Sequence, residues 1–151
     1  MIKDLTVTVC TLNEERNIAD CLKSIKESYP EDIIVVDANS KDRTKEIISQ
    51  FDVRILQTER KGLAFQRSIA IDATKTKYVC ILDADHRVKL GSLEKLISEL
   101  EKRKLDGIEA QILQSNNDSN YWNECFDINF KVSHNIARDT CLLYTSPSPR
   151  D

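Results

Sequence analysis

Glycine is scarce in this 151-residue chain, which has only Gly62, Gly91 and Gly107. Neither G-x-G-x-x-G nor G-x-x-x-x-G-K-[ST] can be written with them, which excludes a dinucleotide fingerprint and a P-loop. The five cysteines are scattered and none forms a C-x-x-C pair. An odd, dispersed set reads as reduced thiols rather than a disulfide framework or a structural zinc site. No apolar run approaches the roughly 18 residues that span a bilayer. Lys3 and Asp4 lead into alternation rather than an apolar block, so no secretory leader is expected there. A basic excess is also missing: 22 Lys and Arg stand against 25 Asp and Glu, a net charge of −3. General nucleic-acid binding wants a basic face, so no nucleic-acid partner is expected. With 40% hydrophobic and 31% charged residues, what remains is a soluble globular domain or part of one.

Strands and helices alternate along the chain. Leu5 to Thr11 sets Thr6 and Thr8 against Val7 and Val9, a strand pattern. Asn13 can cap a helix carrying Ile18, Leu22 and Ile25, and Pro30 ends it. Ile33 to Val36 and Tyr78 to Leu82 are short apolar runs typical of strands buried on both faces. Between them, Ser40 or Asp42 can cap a helix with Ile47 and Ile48. Val53 to Leu56 reads as a strand, and Gly62 precedes a helix with Leu63, Ile69, Ala70 and Ala73. Leu93, Leu96, Ile97 and Leu100 fall at i, i+3, i+4 and i+7 of a helix running to about Lys104. Gly107 to Leu113 is expected as a fifth strand, Asn116 to Asn120 as a polar loop and Tyr121 to Val132 as a helix. Such alternation implies an α/β fold with a mostly parallel sheet, whose ligands sit beyond the carboxyl ends of its strands.

The tail from Cys141 to Asp151 differs in character. It holds two of the three prolines and no apolar periodicity. One reverse translation of it matches the transposase adapter used in sequencing libraries. Residues 1–140 are therefore read as native and 141–151 as adapter read-through, a scar to be kept out of fold reasoning.

Three strand ends carry the chemistry. After the fourth strand stands Asp83-Ala84-Asp85, two hard oxygen donors at a turn, suited to Mg²⁺ or Mn²⁺. Alone, so short a pair also reads as solvated acids. After the second strand, Asp37 can accept hydrogen bonds from a ribose or base; Ser40, Asp42 and Thr44 read as turn and cap residues. After the first strand come Thr11, Asn13 and Glu14, which also read as helix capping. Lys61 and Arg67 are cations able to meet a phosphate or to lie on a solvated helix face. His86 reads as a loop histidine, and no cysteine sits at an identifiable nucleophile turn.

In order, VTVCTLNEERNIADCLKSI, IIVVDANSKDRTKEII and GLAFQRSIAIDATKTKYVCILDADH resemble the family 2 glycosyltransferases, most clearly from Leu5 to Leu100. The resemblance implies a GT-A, Rossmann-like fold, incomplete at its C-terminus, and inverting transfer of a sugar from a nucleotide-diphosphate sugar to an acceptor hydroxyl. It assigns Thr11 and Glu14 to a nucleotide-contacting turn, Asp37 to the nucleoside and Arg67 to the nucleotide. Asp83 and Asp85 become the D-x-D pair, with Asp85 the more direct ligand of a divalent metal. Ala38-Asn39 stands where Asp-Gly is common, and Ser68 where Asn often follows the arginine. The donor expected first is a UDP-sugar, and the acceptor a glycan or a lipid-linked molecule. The expected location is the cytoplasm, at the inner face of a membrane, through a region beyond residue 140. The general base of such enzymes is a carboxylate well downstream of the D-x-D. Glu109, Glu124 and Asp127 lie in range, and spacing makes none of them a base, so the fragment is expected to be inactive by itself. Three other readings stand beside this one, of which a phospho-receiver-like α/β domain would want an acid pair near the first strand, where Thr11 and Asn13 stand. A nucleotidyltransferase would want a Gly-rich basic loop near the first strand, which is absent between Cys10 and Ile18. A noncatalytic nucleotide-binding or partner-binding α/β domain needs no base at all.

Overall fold

The computed structural model describes residues 1–110, together with the backbone of Leu143–Thr145. Five strands form one sheet in the order β3-β2-β1-β4-β5. They are β1 (Ile2–Thr11), β2 (Pro30–Asp37), β3 (Arg54–Gln57), β4 (Tyr78–Asp83) and β5 (Leu143–Thr145). The helices are α1 (Ile18–Glu27), α2 (Thr44–Ile48), α3 (Leu63–Ala73) and α4 (Ser92–Arg103). Pairing is parallel from β3 through β4, and β5 alone runs antiparallel, against β4. The architecture is thus an α/β sheet, mostly parallel and flanked by helices, as its strand–helix alternation implies.

Period-two alternation sends the side chains of β1 to opposite faces. Leu5, Val7 and Val9 join Ile33 and Val35 of β2 and Tyr78 and Cys80 of β4 under one helical layer. That layer brings Ile18, Cys21, Leu22 and Ile25 from α1, Ile48 from α2, and Leu93 and Leu100 from α4. Each such side chain contributes about 1.5–3 kcal/mol by leaving water, so this is the face that holds the domain together. Among the described residues, the opposite face is thin. There Ile34, Val36 and Ala70 are buried, with Leu56, Ile69 and Ala73 packed against them under α3. Thr6 and Thr8 of β1 are also fully buried, and both are satisfied. The Thr6 and Thr76 hydroxyls bond each other at 2.7 Å, and Thr8 Oγ1 donates to the Cys80 carbonyl at 3.3 Å.

The expected fifth strand differs from what forms. Gly107–Ala110 are not strand, and residues 111–113 lie outside the described part. The edge of β4 is instead met by Leu143–Thr145, a stretch within the 141–151 tail. Periodicity marks a run able to pair but does not name its partner. The polar loop at 116–120 and the helix at 121–132 also lie outside the described residues. Among the described residues, no helix is long and apolar enough to cross a membrane.

The strand order locates the ligand side. From β1 the chain steps outward to β2 and β3, then returns across the sheet to place β4 on the other flank of β1. Strand order therefore reverses between β1 and β4. In open α/β sheets, the crevice at the carboxyl ends of such a strand pair is where ligands bind.

Candidate active site

Two loops meet at the carboxyl ends of β1 and β2. Each strand ends on the residue paired with the other, Thr11 with Asp37. Two residues further on, Asn13 and Asn39 each take a left-handed conformation with φ of 58°. Asparagine tolerates that region better than most side chains. Asp37 is fully buried. Its Oδ1 accepts the Thr11 hydroxyl at 3.1 Å and also the Ser40 hydroxyl, and its Oδ2 accepts the Ser40 amide at 3.0 Å.

The loops are then stitched reciprocally. The Asn13 amide donates to Ser40 Oγ at 2.9 Å, and the Lys41 amide to Asn13 Oδ1 at 2.9 Å. The Glu14 amide donates to Thr44 Oγ1 at 2.8 Å, the Glu15 amide to Asp42 Oδ2 at 3.1 Å, and the Arg43 amide to Glu15 Oε2 at 3.0 Å. Asp42 Oδ1 accepts the Thr44 amide at 3.0 Å and the Thr44 hydroxyl. Desolvation works to raise the Asp42 carboxyl, but these hydrogen bonds, led by the Thr44 hydroxyl, outweigh it and hold it below the usual range. The Glu14 side chain is half-buried and accepts Asn17 Nδ2 at 3.0 Å. Asn13 does not cap α1, which begins only at Ile18 after Asn17; its side chain spans the loops instead.

The corner between β1 and β4 is built differently. Arg67, in the first turns of α3, reaches across to β4, where its Nη2 donates to Asp83 Oδ1 at 2.9 Å. Both side chains are partly exposed, yet Arg67 Nε is buried and has no hydrogen-bond partner among the described residues. Such an atom calls for a reason, because an unpaired buried donor costs about 1–3 kcal/mol. Asp85 lies one turn on and is exposed, with His86 Nδ1 3.9 Å from its Oδ1. The turn is pinned from below. The His86 amide donates to the Asp83 carbonyl at 3.0 Å, and the Val88 amide to Ser24 Oγ of α1 at 3.0 Å. Lys61 is exposed ahead of α3.

The strand ends thus bring Thr11, Asp37 and Glu14 to one loop junction, and Arg67, Asp83 and Asp85 to the adjoining corner. Among the described residues, no group of three or more His, Cys, Asp or Glu is arranged to hold a metal. The described thiols, Cys10, Cys21 and Cys80, are buried and offer no nucleophile. Burial pushes Cys10 up to about 11, although Arg67 pulls it down while Asp83 pushes it up. Burial likewise takes Cys21 and Cys80 to about 12.

Gln66 escaped a reading based on polarity. It is almost fully buried, and its Nε2 donates to the Thr11 carbonyl at 3.0 Å and to the Val36 carbonyl at 2.9 Å. Its signal lies in register: Gln66, Ala70 and Ala73 fall at i, i+4 and i+7, which puts an amide on the inward stripe of α3.

Comparison with known proteins gives a consistent answer. An uncharacterised glycosyltransferase of Mycobacterium bovis is 32% identical over 98 residues, covering 65% of this chain and 44% of the relative. The glycosyltransferase GlyG of Streptococcus pneumoniae is 32% identical over 110 residues, covering 68% of this chain and 36% of the relative. Among solved structures, the mannosyltransferase PcManGT from Pyrobaculum calidifontis, in complex with GDP-Man and Mn²⁺, superposes with a TM-score of 0.66 at 24% identity. That match covers 75% of this chain and 36% of the other. TarS of S. aureus superposes with a TM-score of 0.62 at 21% identity, covering 78% and 40%. The chain spans under half the length of these relatives. These structural likenesses give the fold as that of the GT-A glycosyltransferases. The family model described as Glycosyl transferase family 2 matches residues 6–144, nearly the whole chain, which therefore belongs to that family.

Proposed function

We propose that this chain is the donor-binding part of an enzyme that moves a sugar from a nucleoside-diphosphate sugar to an acceptor hydroxyl, with inversion. The observation that carries the reading is the β1/β4 corner. A cation with one buried donor unpaired among the described residues, Arg67, stands beside an exposed carboxylate, Asp85, at the point where strand order reverses. The structural neighbours support the ligand class: TarS has been solved with UDP and with UDP-GlcNAc, and PcManGT with GDP-Man and Mn²⁺.

The donor set fits Mg²⁺ or Mn²⁺. These ions take hard oxygens, keep several waters and share themselves with substrate phosphates, so one or two protein carboxylates suffice. Asp85 is open to such a contact, whereas one oxygen of Asp83 is engaged by Arg67. Such an ion supplies Lewis-acid stabilisation of charge on the departing diphosphate. Arg67 would add fixed positive charge at the same corner. Asp37 is expected to serve the nucleoside. Its buried carboxylate does so by holding Thr11 and the Ser40 turn in place, so that the stitched loops present a fixed wall and the donor is positioned without reorganisation. Glu14 completes that wall.

No residue is assigned as the general base. We propose that it lies beyond residue 140, and that this chain therefore binds donor but transfers sugar slowly or not at all. Turnover by the 151-residue chain at a rate ordinary for an enzyme would overturn that statement. The acceptor is proposed to be a glycan or lipid-linked molecule met at the cytoplasmic face of a membrane. Residues 141–151 are proposed as adapter-derived, and sequencing the gene across codon 140 from independently prepared DNA tests this.

The donor reading is tested by thermal shift with UDP, GDP and dTDP, each with and without Mn²⁺. A ligand at 100 times its dissociation constant adds about 2.7 kcal/mol, which is readily seen. A shift with one nucleotide only when metal is present supports the reading and names the base. A clean transition with no shift points instead to a noncatalytic domain.

A further inference from the structure

We infer that Gln66 is a positioning residue that sets the reach of Arg67 toward Asp83, and through it the grip of the corner on a nucleoside diphosphate. The inference deepens the proposed donor site and rests on that reading for its ligand.

Among the described residues, little else holds the first turns of α3. Its apolar anchorage comes from small residues, Ala70 and Ala73, with Ile69, and only Ala70 among these is fully buried. Leu63 and Ala64 at its start are exposed. No side chain caps its N-terminus, which follows Gly62 at φ 133°. So small an apolar face buries little area, so little hydrophobic stabilisation opposes a small slide or rotation of the helix.

Gln66 opposes that motion. A side-chain amide has two N–H donors on one nitrogen, and here they go to carbonyls of two different strands, Thr11 of β1 and Val36 of β2. The group is buried, so a slide of α3 that broke either bond would leave a donor unpaired away from water. Arg67 follows directly and therefore points about 100° further around the helix. With Gln66 fixed over β1 and β2, Arg67 reaches β4, the next strand across, where it meets Asp83. The amide thus works as a register pin and the guanidinium as the working group.

The test uses the full 151-residue chain carrying Gln66→Met, which keeps length and volume but removes both donors. Coupling between Arg67 and Asp83 is read from a double-mutant cycle in unfolding, with R67M, D83N and both together, in the Gln66 and Q66M backgrounds. Loss of the coupling in Q66M is expected. An unchanged coupling overturns the inference, and it does so without reference to any ligand. UDP and GDP binding with Mn²⁺ supplies the second readout. Q66M is expected to weaken the preferred diphosphate about tenfold, the scale of one charge-assisted hydrogen bond, and Q66M/R67M to bind no more weakly than R67M. Additive losses would make Gln66 a general stabiliser and overturn the inference. If neither diphosphate binds the unmutated chain, the donor reading fails while the unfolding cycle still decides the pin. Gln66→Asn, which keeps both donors on a stem one methylene shorter, carries the same readouts should Q66M not fold.

Discussion

The two ends of β1's neighbourhood are built on opposite plans. On the β2 side, the loops are closed by hydrogen bonds that run both ways, around a carboxylate with no exposure at all. On the β4 side, one partly exposed ion pair stands next to a carboxylate in solvent and a buried guanidinium nitrogen with no partner among the described residues. The first arrangement has spent its polar groups on itself. The second has kept them. A surface that must fix a ligand's position benefits from rigidity, and a surface that must meet a ligand's charge benefits from unspent donors and acceptors. The contrast predicts that mutations on the β2 side act on stability, and those on the β4 side on binding.

The largest effect is expected at Asp37. Asp37→Ala leaves the Ser40 amide and two hydroxyls without their buried acceptor. A loss of about 3 kcal/mol is expected from charged-acceptor hydrogen bonds of this kind, read by urea unfolding. Asp83→Ala, made in the open corner, is expected to cost under about 1 kcal/mol, because its pair is solvent-screened. Equal losses at the two sites would erase the contrast.

Asp85→Ala runs the comparison the other way. It is expected to leave the unfolding midpoint almost unchanged while abolishing the Mn²⁺-dependent nucleotide shift, a stabilisation of about 2.7 kcal/mol at 100 times the dissociation constant. Glu94→Ala, on an exposed position of α4, is expected to preserve that shift. If both variants behaved alike, the acid pair would be structural.

Thr44→Val is a finer cut on the closed side. It keeps the shape of a fully buried residue but removes the hydroxyl that accepts the Glu14 amide and donates to Asp42. The expected cost is about 1.5 kcal/mol, that of an orphaned amide. A neutral outcome would mean that water replaces the hydroxyl and that the stitching is looser than its geometry.

The contrast also explains what could be read from the chain without coordinates. The strands were legible because a buried sheet demands contiguous β-branched residues, as at Ile33 to Val36 and Val7 to Val9. Helices α1 and α4 were legible because their apolar residues repeat at i, i+3, i+4 and i+7. Strand ends were therefore legible, and with them the general location of Thr11, Asp37 and Asp83. The choice of partner by each polar residue was not. Asn13 has the character of a helix cap and instead bridges to Lys41; Asp42 accepts the Thr44 amide, although the cap position of α2 falls on Arg43 with no side-chain cap bond, while Ser40 turns to Asp37. A short polar side chain bonds whatever the tertiary fold brings near, and local sequence does not record that neighbour. Gln66 was hidden for the same reason, since a polar residue on a helix reads as solvated until its register with Ala70 and Ala73 is considered. The partner of the β4 edge, Leu143–Thr145, lies some sixty residues away from β4 and outside any local pattern.

The smallest expected effect concerns acid. The hydrogen bonds from Thr44 and the Glu15 amide hold the Asp42 carboxyl below its ordinary value of 3.8. A depressed carboxyl contributes stability that is fully present above the unfolded value and is lost as pH falls through the lower, folded one. Unfolding followed from pH 6 down to pH 2 should therefore show an acid limb to which Asp42 contributes. Asp42→Asn should flatten that limb slightly while lowering stability at pH 6 by a small amount, since the group is partly exposed and solvent screens it. A limb of unchanged slope in D42N would place the acid sensitivity elsewhere. It would also mean that the outermost stitches of the closed side are closer in character to the open corner than their distances imply.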